Sequence, residues 1–316
     1  MKKVLGICIC LSMFWLSACS TSSFDPAKRL VIAPAERIPI SSIDQVLGGL
    51  FEHKKPFVLY VHGRGDEPKK TEQGKILEKL EQQYGVKVLM FNWDSKAKFV
   101  LSRPVAHADE AAPYLSDVVA KIINYRKLHQ EARSIPISLL VHSMGNIVLQ
   151  QAIDKDLKLS ESDGPLFMNI LMTGSDADAE GHNLWVEKLS AKGEIMITIN
   201  KQDGTLSWSK HDSGKTPLGI NPKEPLAKNA HYLNVTGLVG KTHRLFQKGR
   251  QHGQISICLI LTSMLRSETP NLQLGKLVNG GGDDRILVPI ANIDNSNSCF
   301  AAFFPTDPDL DPNDEE

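Results

Sequence analysis

Charge of neither sign is in excess, since 36 lysines and arginines stand against 36 aspartates and glutamates. A nucleic-acid partner calls for a basic patch or stripe, and the chain offers no such footprint. Signatures for metals and nucleotides are missing too. There is no HExxH, no paired CxxC, no G-x-G-x-x-G and no Walker loop. Gly280-Gly281-Gly282-Asp283-Asp284 lacks the lysine and the helix of a phosphate loop and reads as a flexible connection. Neither metal nor cofactor is therefore expected. Aromatic residues make up only 6% of the chain, and no long apolar stretch marks a partner surface. The apolar run near the N-terminus, residues 4–14, is too short to span a bilayer.

What the chain does contain is LLVHSMGNIVLQ, residues 139–150, in which apolar strand-formers end on His142-Ser143-Met144-Gly145 and a helical pattern begins at once. A strand that turns sharply into a helix at a serine holds the hydroxyl above the sheet edge. The backbone amides that follow, that of Met144 first, then point to where an oxyanion would form. Val141 stands where the usual G-x-S-x-G elbow has its first glycine, leaving Gly145 to relieve crowding at the turn. The alternative is an ordinary buried strand-to-helix turn. His142 points by alternation away from the Ser143 side chain, as a packing residue does.

The N-terminus reads as an export signal: Lys2 and Lys3, the apolar run, then Leu16-Ser17-Ala18-Cys19. Small residues directly before a cysteine resemble the bacterial lipobox. That resemblance implies removal of residues 1–18 and acylation of Cys19, which would hold a soluble domain at a membrane by its burial of methylenes. Ser20 at the next position resembles the outer-membrane sorting pattern of Gram-negative lipoproteins, so the expected location is the envelope, facing the periplasm. A soluble protein cleaved after Ala18 is the alternative. With Cys8 and Cys10 in the signal, only Cys258 and Cys299 of the five cysteines remain in the body. An oxidising compartment permits a bridge between them, and two unrelated thiols are the other reading.

Residues 19–45 are expected to form a tether, residues 46–305 one folded domain, and residues 306–316 an acidic tail. The stretch DPDLDPNDEE that ends the chain carries six acids and two prolines, a composition that stays solvated. Within the body, apolar strand-like runs recur at residues 57–61, 86–91, 137–141, 166–172, 194–199 and 232–236, with helical periodicity at 71–84 and 111–128. Strands alternating with helices predict an α/β fold with a mostly parallel sheet covered on both faces. In such sheets the chemistry gathers beyond the C-terminal strand ends. HGRGD, the elbow, TGSDADAEGH and KQDG all fall there.

The order strand-HG, FNWDS, HADEAAPYLSDVVAKI, LLVHSMGN, ILMTGSDADAEGH, KQDGTLSWS resembles the α/β-hydrolase superfamily, and within it the DUF900 group, over about residues 57–246. The chain departs from that group in having Asp94 where proline is usual and Arg64-Gly65-Asp66 in place of an asparagine-bearing turn. Superfamily order implies an acid and then a histidine after Ser143. Asp203, in a glycine-containing turn after the fifth run, is the first choice of acid, with Asp178 second and Asp176 beside it. His243 is the base by its place in the loop after the last run; His231, His252 and His211 are the other histidines weighed. Oxyanion donors would come from Met144 and from the Gly63 and Arg64 loop. The implied activity is serine-dependent hydrolysis of a small-molecule or lipid ester. A peptidase on the same fold and a catalytically silent envelope scaffold are its rivals.

Overall fold

The computed structural model describes residues 24–64, 76–96, 103–247, 255–280 and 283–290. The expected signal segment, Cys19, Asp66, His252, Cys299 and the acidic tail lie outside the described residues.

Twelve strands are described: β1 (Leu30–Ile32), β2 (Glu36–Ile38), β3 (Phe57–Val61), β4 (Lys87–Phe91), β5 (Ile137–His142), β6 (Ser160–Glu161), β7 (Gly164–Pro165), β8 (Ile170–Thr173), β9 (Ile195–Ile199), β10 (His231–Asn234), β11 (Gly275–Gly280) and β12 (Asp283–Pro289). All but the β6–β7 pair join one sheet of order β11-β12-β10-β9-β8-β5-β3-β4-β1-β2. Its centre is parallel from β4 through β3, β5, β8, β9 and β10 to β12, and only the pairings of β1 with its two neighbours and of β11 with β12 are antiparallel.

Side-chain alternation explains why helices cover both faces. Phe57, Leu59 and Val61 of β3 enter one apolar core while Val58 and Tyr60 enter the other. The first core is closed by α1 (Ile43–Glu52), by α3 (Val105–Leu128) and by α5 (Gly145–Asp154). The second is closed by α2 (Ile76–Tyr84) and α8 (Ile255–Leu265). The other three described helices are α4 (Gln130–Arg133), α6 (Asn183–Val186) and α7 (Gly204–Ser213). A strand apolar on both sides cannot be left facing water, so β3, β5 and β9, with every residue buried, must lie in the interior of the sheet. Where the buried β5 carries a polar side chain, it is satisfied: Ser138 Oγ donates to the Met264 carbonyl of α8 at 2.8 Å.

Three expectations are corrected. The stretch 19–45 is not all tether, because β1, β2 and the first turn of α1 belong to the domain, with β1 paired to β4. Three-residue strands carry too little periodicity to be read from sequence. Gly280 and Asp283, expected to lie in a flexible connection, are instead paired ends of β11 and β12. The run expected at 166–172 becomes a strand only from Ile170; Leu166 and Phe167 ahead of it are buried.

Candidate active site

Ser143 follows β5 directly and precedes α5, with φ at +52°. A left-handed backbone is unfavourable for serine and persists only where the surroundings impose it. They do so here through the Ser143 amide, which donates to the Thr173 carbonyl at 3.0 Å, and through the Ser143 carbonyl, which accepts from Asn146 at 3.1 Å and from Asp176 at 3.2 Å. The Met144 amide, at the cap position of α5, has no acceptor among the described residues. Val141 explains why this elbow dispenses with its first glycine. It sits in regular strand pairing between Val61 and Met172, and its side chain fills the core.

Gly145 is the glycine that cannot be replaced. A Cβ added there would stand 2.5 Å from the Val61 carbonyl oxygen and 2.8 Å from that of His62. Both obstacles are backbone of the central strand β3 and its continuation, so neither can rotate aside. Gly145→Ala is expected to lower stability by about 2–4 kcal/mol, the range of severe overpacking. A urea midpoint within error of the native protein would show that the turn yields.

The loop after β3 lies equally close, since a Cβ on Gly63 would meet Ser143 Cβ at 2.5 Å. His62 holds that loop. Its Nε2 accepts the Trp93 amide at 3.2 Å, so Nδ1 carries the proton and donates to the Gly63 carbonyl at 2.7 Å, while the Trp93 indole donates to the His62 carbonyl at 2.8 Å. With the Gly63 carbonyl turned to the ring, the planar trans peptide turns the Arg64 N–H the opposite way.

Asp203 and His243 are brought together from opposite sides of β10. Asp203 caps the start of α7: Oδ1 accepts the Leu206 amide at 2.9 Å, and Oδ2 accepts from His243 Nδ1 at 2.7 Å. A carboxylate can only accept, so Nδ1 holds the imidazole proton and Nε2 presents a lone pair. The His243 ring lies beside Gly174, where an added Cβ would be 3.0 Å from Cε1, and beside the His142 ring at 4.6 Å between centroids. Thr173 and Gly174, consecutive at the end of β8, thus touch Ser143 and His243 in turn. His142 packs as its place in the strand predicts, with Nδ1 at 3.3 Å from the Thr173 carbonyl.

Asp178, the second choice of acid, is engaged by other partners. Asp178 forms ion pairs with Arg103 at 3.3 Å and with Lys215, whereas the His243 Nδ1 is engaged by Asp203. Asp176 is buried, with Oδ1 accepting the Ser209 hydroxyl at 2.6 Å and Oδ2 facing Arg103 Nε at 3.4 Å. Burial raises its carboxyl above the ordinary range; Arg103, the Ser209 hydroxyl, His243 and Arg64 all act against that rise. Nothing in the local sequence ties Arg103 and Ser209 to one carboxylate.

The other histidines weighed that lie among the described residues are engaged elsewhere. His231 bonds Glu194 at 2.8 Å, and His211 stacks on Trp208. His182 donates to the Ala179 carbonyl at 2.7 Å and meets the Tyr232 hydroxyl at 2.6 Å, and burial lowers its pKa. Cys258 is disulfide-bonded. Among the described residues no group of His, Cys, Asp and Glu could hold a metal ion.

A family model described as "Alpha/beta hydrolase of unknown function (DUF900)" matches residues 46–231, a span that includes Ser143 and Asp203. No curated protein matches the chain. Solved structures that match include an esterase of Pyrobaculum calidifontis, 14% identical with a TM-score of 0.34, over 66% of this chain and 76% of that one. A dienelactone hydrolase of Anabaena variabilis is 10% identical with a TM-score of 0.36, over 68% and 87%. Carboxyl esterase 2 of the fungus Tuber melanosporum is 13% identical with a TM-score of 0.36, over 67% and 79%. The strand order, the covered parallel sheet and the family match are those of an α/β-hydrolase fold, and the chain belongs to the DUF900 family of alpha/beta hydrolases.

Proposed function

We propose that the protein is a serine hydrolase that cleaves carboxylic esters through an acyl-enzyme on Ser143. The observation that carries this reading is a serine held at φ +52° just past the C-terminal end of β5, next in chain to His142, whose ring lies 4.6 Å from that of His243, an imidazole whose Nδ1 is engaged by a buried carboxylate at 2.7 Å. In the proposed reaction His243 Nε2 takes the Ser143 proton as Oγ bonds to the ester carbonyl carbon. The carbonyl oxygen becomes an oxyanion facing the Met144 amide and the Gly63 and Arg64 loop. Collapse breaks the bond to the alcohol, which leaves with the proton from His243, and water then repeats the sequence to release the acid. Asp203 stays ionised throughout, fixing the tautomer and opposing the charge that the ring acquires.

In this reading the enzyme is anchored at the bacterial envelope through acylated Cys19, at the outer membrane facing the periplasm. Support comes from Leu16-Ser17-Ala18-Cys19-Ser20 after a short apolar run. Among the described residues no helix is long and apolar enough to cross a membrane.

The reading is tested by treating the domain with a fluorophosphonate, which phosphonylates only an activated serine. Wild type should label stoichiometrically and His243→Ala should not. A folded wild type that stays unlabelled would sink the proposal and favour a silent scaffold.

A further inference from the structure

One carbonyl at the elbow has more donors than it needs. The Ser143 carbonyl accepts the backbone amides of Asn146 at 3.1 Å and of Asp176 at 3.2 Å, and a third donor, the side-chain Nδ2 of Asn146, reaches it at 3.0 Å. Nδ2 also reaches the Val141 carbonyl of β5 at 3.4 Å. Two carbonyls can only accept, so the side-chain amide turns its NH₂ toward the elbow and Oδ1 away from it. That oxygen is buried and meets no donor among the described residues. A buried oxygen left unmet costs stability, and asparagine is a poor helix former besides, so the needs of α5 do not explain this side chain.

What the third donor fixes is the direction of a peptide plane. Two backbone amides already satisfy the Ser143 carbonyl. The Ser143–Met144 peptide is planar and trans, so its N–H points opposite to its carbonyl. Holding that carbonyl from α5 and from the segment after β8 therefore aims the Met144 amide, which has no acceptor among the described residues, the other way. Resting on the proposed role of Ser143, we infer that Asn146 is a positioning residue: its side-chain amide locks the Ser143–Met144 peptide so that the Met144 N–H stands ready for the oxyanion. Asn146 is wholly buried and acts on the substrate only through this peptide. A preorganised donor of this kind favours the transition state, because the negative charge on the substrate oxygen develops only there. Its effect belongs in kcat and not in KM.

The test is steady-state hydrolysis of p-nitrophenyl acetate, read beside urea denaturation. Asn146→Ala should lower kcat by about 10–100-fold with KM within about twofold, a smaller loss than outright removal of an oxyanion donor because the Met144 amide remains. Its urea midpoint should stay near that of wild type, since the Ser143 carbonyl keeps two donors. Affinity for a trifluoromethyl ketone, whose adduct with serine carries an oxyanion, should weaken by about the same factor as kcat/KM. Asn146→Ser should recover most of the loss, because a serine hydroxyl in a helix bonds to the carbonyl three or four residues back, here that of Ser143. Should Asn146→Ala not fold, Asn146→Leu decides, being of similar volume and without a donor. A folded variant without the donor that keeps kcat within about twofold of wild type overturns the inference, and so does a loss that serine fails to reverse, which would leave Asn146 as a packing residue. A wild type that neither hydrolyses the ester nor reacts with a fluorophosphonate overturns the reading of Ser143 itself, and this inference with it.

Discussion

Ser143→Ala is expected to lower kcat for an activated ester such as p-nitrophenyl acetate by on the order of 10⁴–10⁶-fold, with the protein still folded. The loss is that large because, in the proposed mechanism, serine, histidine and carboxylate act as one unit, and without Oγ no acyl-enzyme forms. What the substitution leaves intact is equally specific. Alanine at φ +52° meets the same backbone strain as serine, so stability should hardly change. Ser143→Gly would lose activity to the same extent yet gain about 1 kcal/mol, because glycine populates the left-handed region freely. Measured together, the two variants separate chemistry from strain. Residual turnover above a hundredth of wild type in Ser143→Ala would mean that the reaction does not run through this hydroxyl.

The second large effect distinguishes the two aspartates between which the sequence alone could not choose. Asp203→Asn should reduce kcat by about 10⁴-fold through the tautomer. The asparagine carbonyl can still accept the Leu206 amide, since asparagine caps helices as well as aspartate does, so the fold should keep its stability within about 1 kcal/mol. The amide NH₂ would then face His243 Nδ1 as a donor. Nδ1 must become the acceptor, the proton moves to Nε2, and the lone pair that should receive the serine proton is gone. Asp178→Asn, by contrast, removes ion pairs with Arg103 and Lys215 on a half-exposed carboxylate and should leave kcat within a few-fold. A steady-state comparison of the two variants checks this directly. The reverse ranking would return the role of acid to the segment after β8.

Much of this site was readable from sequence because its signals are local. The elbow is a strand-to-helix transition over six residues, 139–144, and neither side depends on distant contacts to be recognised. Asp203 was legible as a turn residue after an apolar run, and its helix cap is a contact three residues away. His243 is different. It lies beyond the matched family span and its choice over His231 rested on which end of a strand each occupies. The structure agrees in placing His231 at the start of β10, bonded to Glu194.

The sequence by itself determined the elements that a repeating pattern or a turn residue encodes: the buried parallel strands, the helices between them, and which residues fall just past the strand ends. Tertiary structure alone decided which of those residues meet. It gave His243 Nδ1 to Asp203 and Asp178 to Arg103 and Lys215, and it gathered Ser209, Arg103 and Asp176 from three separate segments around one carboxylate. It also drew β1 and β2 out of an expected tether into the sheet. The physical reason is range. Apolar periodicity and turn geometry act over a few residues of chain, whereas a carboxylate accepts whichever donor the packed strands bring within about 3 Å, however far away in sequence that donor lies.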